Sequence, residues 1–193
     1  TIFISALLLL SCKITANDNE LIEEALSDVT IADLQPHYPT VYSSDSVKMD
    51  SLSDILNSKV INQAACFALL TNSCSELKAD FNNYLLYNYQ TLDFSDDRMI
   101  FPDIGNIARF IVWKSKLNDT GCLDKIFENA EIILQRGDAT SKDLIVSGLF
   151  EGIQNISGWH KIDYYKGFDI WLRPESKAVW DELIRSWEAD RSH

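Results

Sequence analysis

Residues 120–137 read Thr-Gly-Cys-Leu-Asp-Lys-Ile-Phe-Glu-Asn-Ala-Glu-Ile-Ile-Leu-Gln-Arg-Gly, and their spacing decides the fold class. Leu123, Ile126, Phe127, Ala130, Ile133 and Leu134 recur three and four apart. That rhythm lays them in one stripe along a helix and would scatter them over both faces of a strand. Thr120 precedes the stripe, and Gly137 stands where a helix C-terminus favours a left-handed residue.

The same rhythm continues on both sides. Upstream, Ile55 to Leu70 is rich in Ala, Leu and Ile, and Ser75 is a plausible N-cap for a helix whose Leu77, Phe81, Tyr84, Leu85 and Asn88 share a face. Ile104, Ile107, Ala108, Ile111 and Val112 form a further stripe introduced by Pro102 and Asp103. Downstream, Thr140 with Asp143 resembles a capping box, opening a helix with Ile145, Gly148, Leu149, Gly152, Ile153 and Ile156 on one side. Gly148 and Gly152, four apart, predict a close helix crossing. Pro174 occupies a favoured first helical position, and Val179, Trp180, Leu183, Ile184 and Trp187 follow it as the strongest amphipathic stripe.

Strand signals are scarce. Ile162 to Leu172 has alternating and aromatic residues around Gly167 and reads either as a pairing segment or as an ordered loop packed by Tyr165, Phe168 and Trp171. The expected architecture is all-α: a single orthogonal or bundle-like domain of about six helices over 51–193, with an extended N-terminal segment before it. With 46% hydrophobic residues in 193, the chain carries enough apolar material for one core of ordinary size.

The N-terminal segment reads as targeting and spacer. Ile2 to Leu10 is an uncharged apolar run, too short to span a bilayer, which takes about 20 residues, but matching the core of a secretory signal. Leu9-Leu10-Ser11-Cys12 resembles the lipobox of bacterial lipoproteins, although Leu10 departs from the usual residue there. The expectation is a cleaved signal over 1–11, lipid on Cys12, and an envelope anchor facing the periplasm. A plain cleaved signal or a cytosolic protein remains the alternative. From 12 to 50 the chain is an acidic tether, with Glu20 to Leu26 as a short helix. Between Ile14 and Leu56 nine acidic residues face the single Lys48.

Four cysteines bear on the compartment. If Cys12 carries lipid, an odd number remains and at least one thiol is free or pairs between molecules. Cys66 and Cys74 flank a turn at Thr71, Asn72 and Ser73 and a bridge between them is possible; Cys66 and Cys122 also read as small buried hydrophobes.

Chemistry is sparse. With 29 Asp and Glu against 17 Lys and Arg the net charge is −12, which argues against nucleic acid and for a basic partner. His37, His160 and His193 never stand four apart, so a helical metal site is not expected, and no cofactor motif is present. Ser147 lies outside any Gly-x-Ser-x-Gly elbow and reads as a small packing residue. Asp93, Asp96, Asp97 and Asp103 form a carboxylate cluster without the spacing of a calcium loop. The first three read as an exposed patch for a cationic protein, and Asp103 as an acid favouring the positive end of the following helix. A second acidic patch, Asp163, Tyr164 and Asp169, is the other candidate for partner binding.

Three stretches carry a resemblance. They are Phe101-Pro102-Asp103-Ile104-Gly105-Asn106-Ile107-Ala108-Arg109, with Gly121 and Phe127 through Glu131 after it; Val146 through Asn155; and Leu172-Arg173-Pro174-Glu175-Ser176-Lys177-Ala178-Val179-Trp180. Together, from about Asp93 to Trp187, they resemble an uncharacterised family of small acidic helical bacterial proteins considered as toxin-immunity candidates. Two departures stand out: Arg173 where that family usually has Gly, and a secretion-like N-terminus where its members are mostly cytosolic. The resemblance implies a non-enzymatic protein that binds and neutralises a toxin. An envelope protein with a structural or scaffold role, touching the membrane only through its N-terminal lipid, is the other function in view.

Overall fold

A computed structural model of the chain describes Leu34, Tyr38 and residues 52–92 and 98–191. Among them the protein is all-α. The helices are α1 (Leu52–Asn57), α2 (Gln63–Thr71), α3 (Ser75–Tyr89), α4 (Ile100–Lys116) and α5 (Leu123–Arg136), a continuous rod, and the last helix. The rod is α6 (Ala139–Asp143), a π-helical stretch (Leu144–Phe150) and α7 (Glu151–Trp159); the last helix is α8 (Pro174–Arg191). Among the described residues no helix is long and apolar enough to cross a membrane. The short helix expected over Glu20 to Leu26 lies outside the described residues.

The helix expected over Ile55 to Leu70 is two helices. Between them Ile61 is fully buried and runs beside Gly137, its N–H donating to the Arg136 carbonyl (3.0 Å) and its carbonyl accepting from Asp138 (3.0 Å). Arg136 reaches back to the Leu56 carbonyl (2.9 Å) and to that of Ser58, closing the end of α1. Asn62 then caps α2 by accepting from the Ala65 N–H (3.0 Å), because its short amide side chain can meet an N–H that the helix leaves unpaired.

Other ends also moved. Cys74, not Ser75, is the N-cap of α3, and Asp138 replaces the expected Thr140–Asp143 box at α6, accepting from the Ser141 N–H (2.7 Å). Gly137 is extended, not left-handed; a Cβ there would meet the Ile133 carbonyl at 2.5 Å, so it is small for space. Ser147 is exposed and donates to Asp143 (2.8 Å) instead of packing. Asn88, at the end of the α3 stripe, is exposed too.

The two glycines expected at a close crossing do that work. A Cβ on Gly148 would collide with the Ile104 side chain of α4, and one on Gly152 would stand 3.1 Å from the Ala108 Cβ. Around this crossing the wide π turn buries Leu144, Ile145, Gly148, Leu149 and Phe150 together, more of its circumference than an α stripe would cover. On the far side Phe127, Phe150, Phe168, Trp171 and Trp180 form one aromatic cluster, with neighbouring ring centroids 5.5–6.1 Å apart.

Ile162 to Leu172 makes no strand. It is an ordered series of turns, pinned by buried Phe168 and Trp171; Tyr165, expected to help pack it, points outward and stacks on Tyr164 at 4.8 Å. The disulfide is Cys74–Cys122, with Cα atoms 5.7 Å apart, and Cys66 is a buried free thiol. Cys122 therefore belongs to a cross-link joining the starts of α3 and α5, not to the core as an isolated hydrophobe.

Candidate functional site

Polar groups are concentrated where α3 lies against α4. Asp103 is fully buried in the first turn of α4. One of its carboxylate oxygens accepts from the hydroxyls of Tyr84 (2.9 Å) and Tyr89 (2.8 Å), the other from Arg98 Nε (2.8 Å), with Nη2 of the same guanidinium 2.7 Å away in the ion pair. The guanidinium faces the rings of Phe67 (5.0 Å), Phe81 (5.6 Å) and Tyr89 (5.9 Å). Such a charge is tolerable in an apolar interior because it is paired, hydrogen-bonded and covered by ring faces. Burial and the nearby Asp103 carboxylate push the Tyr84 phenol far above its ordinary range, so it stays a hydrogen-bond donor.

One turn along α4 lies a second layer. Asn106 donates its amide to Asp80 (3.1 Å). An ionised Asp80 can only accept, which fixes the amide orientation and turns Asn106 Oδ1 toward two donors, Arg109 Nη2 and the Tyr38 hydroxyl (3.1 Å). Arg109 also lies 4.0 Å from Asp80 and donates from Nη1 to the Leu34 carbonyl (2.9 Å). Burial raises the Asp80 pKa, and the Arg109 charge works against that rise. At the far end of α4, buried Lys114 bridges Glu76 and Asp119 with its ammonium beside the Phe110 and Trp113 rings.

A further buried acid has a different task. Glu131 of α5 accepts from the N–H groups of Glu175 (3.0 Å) and Ser176 (2.7 Å), capping α8 from a neighbouring helix. Burial would raise its pKa, but the two backbone donors outweigh it and the carboxyl titrates below its ordinary value. Gln154 completes the anchorage of α8, donating to the Trp180 carbonyl (3.2 Å) and accepting from Trp187 Nε1 (3.1 Å).

The site residues singled out from sequence fall in two groups. Cys12, Asp93, Asp96 and Asp97 lie outside the described residues. Asp163, Tyr164 and Asp169 share the turns after α7. Asp163 is exposed and accepts from the Tyr165 N–H (2.9 Å). Tyr164 is half-buried, its ring against Gly158 and its carbonyl receiving Trp180 Nε1 (3.1 Å). Asp169 is half-buried, 3.5 Å from Lys177, whose ammonium is held more closely by Asp181. Around them Trp159, Tyr165 and Ile170 are exposed, Ile170 at 78%.

The sequence gives no site role to Asp80, Tyr89, Arg98, Asn106, Arg109 and Glu131, and reads Tyr84 only as part of the stripe on α3. A signal existed in α4, where Asp103, Asn106 and Arg109 repeat every three residues beside the apolar stripe, but their partners are supplied by other helices. Among the described residues no group of three or more His, Cys, Asp or Glu is placed to hold a metal ion.

A family model described as a domain of unknown function, DUF7674, matches residues 67–188. The chain belongs to that family. The match runs from the second half of α2 into α8, so both layers of the α3–α4 seam and the Glu131 cap lie inside the DUF7674 domain, whereas Leu34 and Tyr38 lie outside it. No curated protein and no solved structure matches the chain.

Proposed function

We propose that the protein is an immunity-type inhibitor that binds a basic bacterial toxin and occludes it, with no turnover of its own. The observation that carries this reading is the surface after α7. Trp159, Tyr165 and Ile170 present large apolar side chains to solvent within twelve residues of chain, with Asp163 and Asp169 among them. The backbone beneath is fixed by Phe168, Trp171 and the Trp180 hydrogen bond. Exposed Lys161 and Lys166 stand in the same turns, so the rim carries both signs. A rigid apolar centre within a charged rim is what a tight protein contact needs, and the attraction for a basic partner comes from the net charge of −12 over the whole molecule.

The buried acids support the same direction. Asp103 is saturated by a guanidinium and two phenols, and Glu131 by backbone donors, so neither is poised to take a proton from a substrate. The Cys74–Cys122 disulfide favours an oxidising compartment, in keeping with export and a lipid on Cys12 as the envelope anchor.

The test is to purify the chain from its native cell at low salt, with and without residues 1–11, and to express the product of the adjacent gene in a host with and without it. The reading expects a 1:1 complex that rising salt weakens and growth protection that depends on the chain. Ile170→Asp should weaken that complex by about 30-fold, as removal of a hot-spot residue does. Recovery with envelope components and no toxin would favour a scaffold role and defeat the inhibitor reading.

A further inference from the structure

Leu34 and Tyr38 come from outside the family domain, yet they are among its best-received residues. Leu34 is 2% exposed. Its carbonyl accepts from Arg109 Nη1 (2.9 Å), and four residues on the Tyr38 ring sits 5.5 Å from the same guanidinium. That ring also meets Tyr84 edge-on at 5.4 Å and Tyr87 at 5.6 Å, while its hydroxyl donates to Asn106. The groups that meet the Leu34 carbonyl and the Tyr38 side chain here, Tyr84, Tyr87, Asn106 and Arg109, and Asp80 behind them, lie within residues 67–188.

We propose that this α3–α4 face is a peptide-binding site, filled in this chain by its own Leu34 and Tyr38, whose ligand class is a peptide carrying an apolar residue four positions before a tyrosine. Three properties of the face define that ligand. Asp80 orients Asn106 and Arg109 without help from the incoming segment, so the receiving groups are pre-organised. Arg109 presents one edge of its fork to a backbone carbonyl and its face to an aromatic ring. Asn106 Oδ1, already accepting from Arg109, offers its second lone pair to a hydroxyl at the end of that ring, which favours tyrosine over phenylalanine by one hydrogen bond. Because the ligand is joined to α1 by residues 39–51, it competes at an effective concentration on the order of millimolar, so a free peptide gains access once the internal copy is withdrawn. This surface lies on other elements than the turns after α7 and stands independently of the toxin-binding reading.

The experiment uses a fluorescent peptide of residues 31–41, Ile-Ala-Asp-Leu-Gln-Pro-His-Tyr-Pro-Thr-Val, and the full chain. Binding is followed by polarisation and folding by circular dichroism. The L34A/Y38A chain is expected to bind the peptide at least about tenfold more tightly than the wild type, whose site is already taken. A peptide with Phe for Tyr38 should bind about fivefold more weakly, as loss of one neutral hydrogen bond implies. Adding Arg109→Lys, which keeps the charge beside Asp80 but not the planar fork, should reduce binding by about tenfold. Tyr38→Ala alone serves if the double variant loses helix. The proposal is overturned if folded wild-type and released chains bind the peptide equally, if neither binds, or if Arg109→Lys changes nothing. A wild-type dimer in light scattering that Tyr38→Ala converts to monomer would also overturn it, by assigning the contact to a second copy.

Discussion

The two halves of the interior are held by opposite means. Between α5, the π stretch and α8 the filling is Phe127, Phe150, Phe168, Trp171 and Trp180, rings against rings. Between α3 and α4 the filling is equally aromatic, but the rings enclose the Arg98–Asp103 pair and the Asp80–Asn106–Arg109 layer. In the apolar half the cost of losing a side chain is set by the hole it leaves. In the polar half it is set by what happens to the abandoned partner.

That contrast can be broken by substitution. Asp103→Ala should remove about 3–5 kcal/mol of stability in urea unfolding, because the buried Arg98 guanidinium loses the carboxylate it is paired with and two phenols lose their acceptor; Arg98→Met added to Asp103→Leu should restore much of it, and a double variant no better than the single would erase the distinction. Trp180→Ala should cost a similar amount, about 3–5 kcal/mol, but no second substitution of a neighbouring ring should rescue it. Reducing the Cys74–Cys122 bond should cost about 2–4 kcal/mol, seen as a drop in melting temperature on adding reductant that Cys74→Ser with Cys122→Ser abolishes.

Smaller effects sharpen the same comparison. Glu131→Gln should cost about 1–3 kcal/mol at neutral pH, since a carboxylate at two backbone donors becomes an amide. The folded pKa of Glu131 is depressed, so its contribution is present above the ordinary carboxyl value of 4.5 and is lost as pH falls below it. Asp80 has the opposite sign: its folded pKa is raised above 3.8, so protonation at low pH favours the folded form. A stability profile of Glu131→Gln should therefore fall less steeply on the acid side than that of the wild type. Asp163→Asn, on the proposed partner surface, should shift stability by less than about 0.5 kcal/mol, so any loss of partner binding it produces is a loss of contact.

How much of this was legible in the sequence follows from where each signal resides. The apolar stripes of α4, α5, α7 and α8 are local patterns, and so is the pairing of Gly148 and Gly152 with a close crossing, because four-residue spacing puts two gaps on one face. Asn62, which caps α2, stands inside a segment whose Ala, Leu and Ile content reads as one helix over Ile55 to Leu70, so composition does not mark the break there. The Cys74–Cys122 pairing depends on two helix starts meeting across 48 residues, a distance that spacing does not encode. Nor could Asp103 be read as a hub: its own turn shows an acid at a helix start, while its partners Tyr84, Tyr89 and Arg98 arrive from α3 and from the approach to α4. Of the candidate surface, Asp163 and Asp169 were visible as charges, but the exposure of Ile170 and Tyr165 required Phe168 and Trp171 to take the inward positions.

The π stretch between α6 and α7 sets a constraint of its own. An α-helix advances about 100° per residue and the wider π winding less, so 144–150 holds about one residue more than an α-helix would need for the same sweep. Deleting one residue and tightening the winding would leave α7 nearly in register, whereas rewinding all seven residues as α-helix would swing everything after them around the axis. Gly152 would leave Ala108, Gln154 would lose both tryptophans, and the turns bearing Trp159 and Ile170 would face another direction. The match between the number of residues in that stretch and its wide winding, more than the identity of any one of them, aims the outer surface.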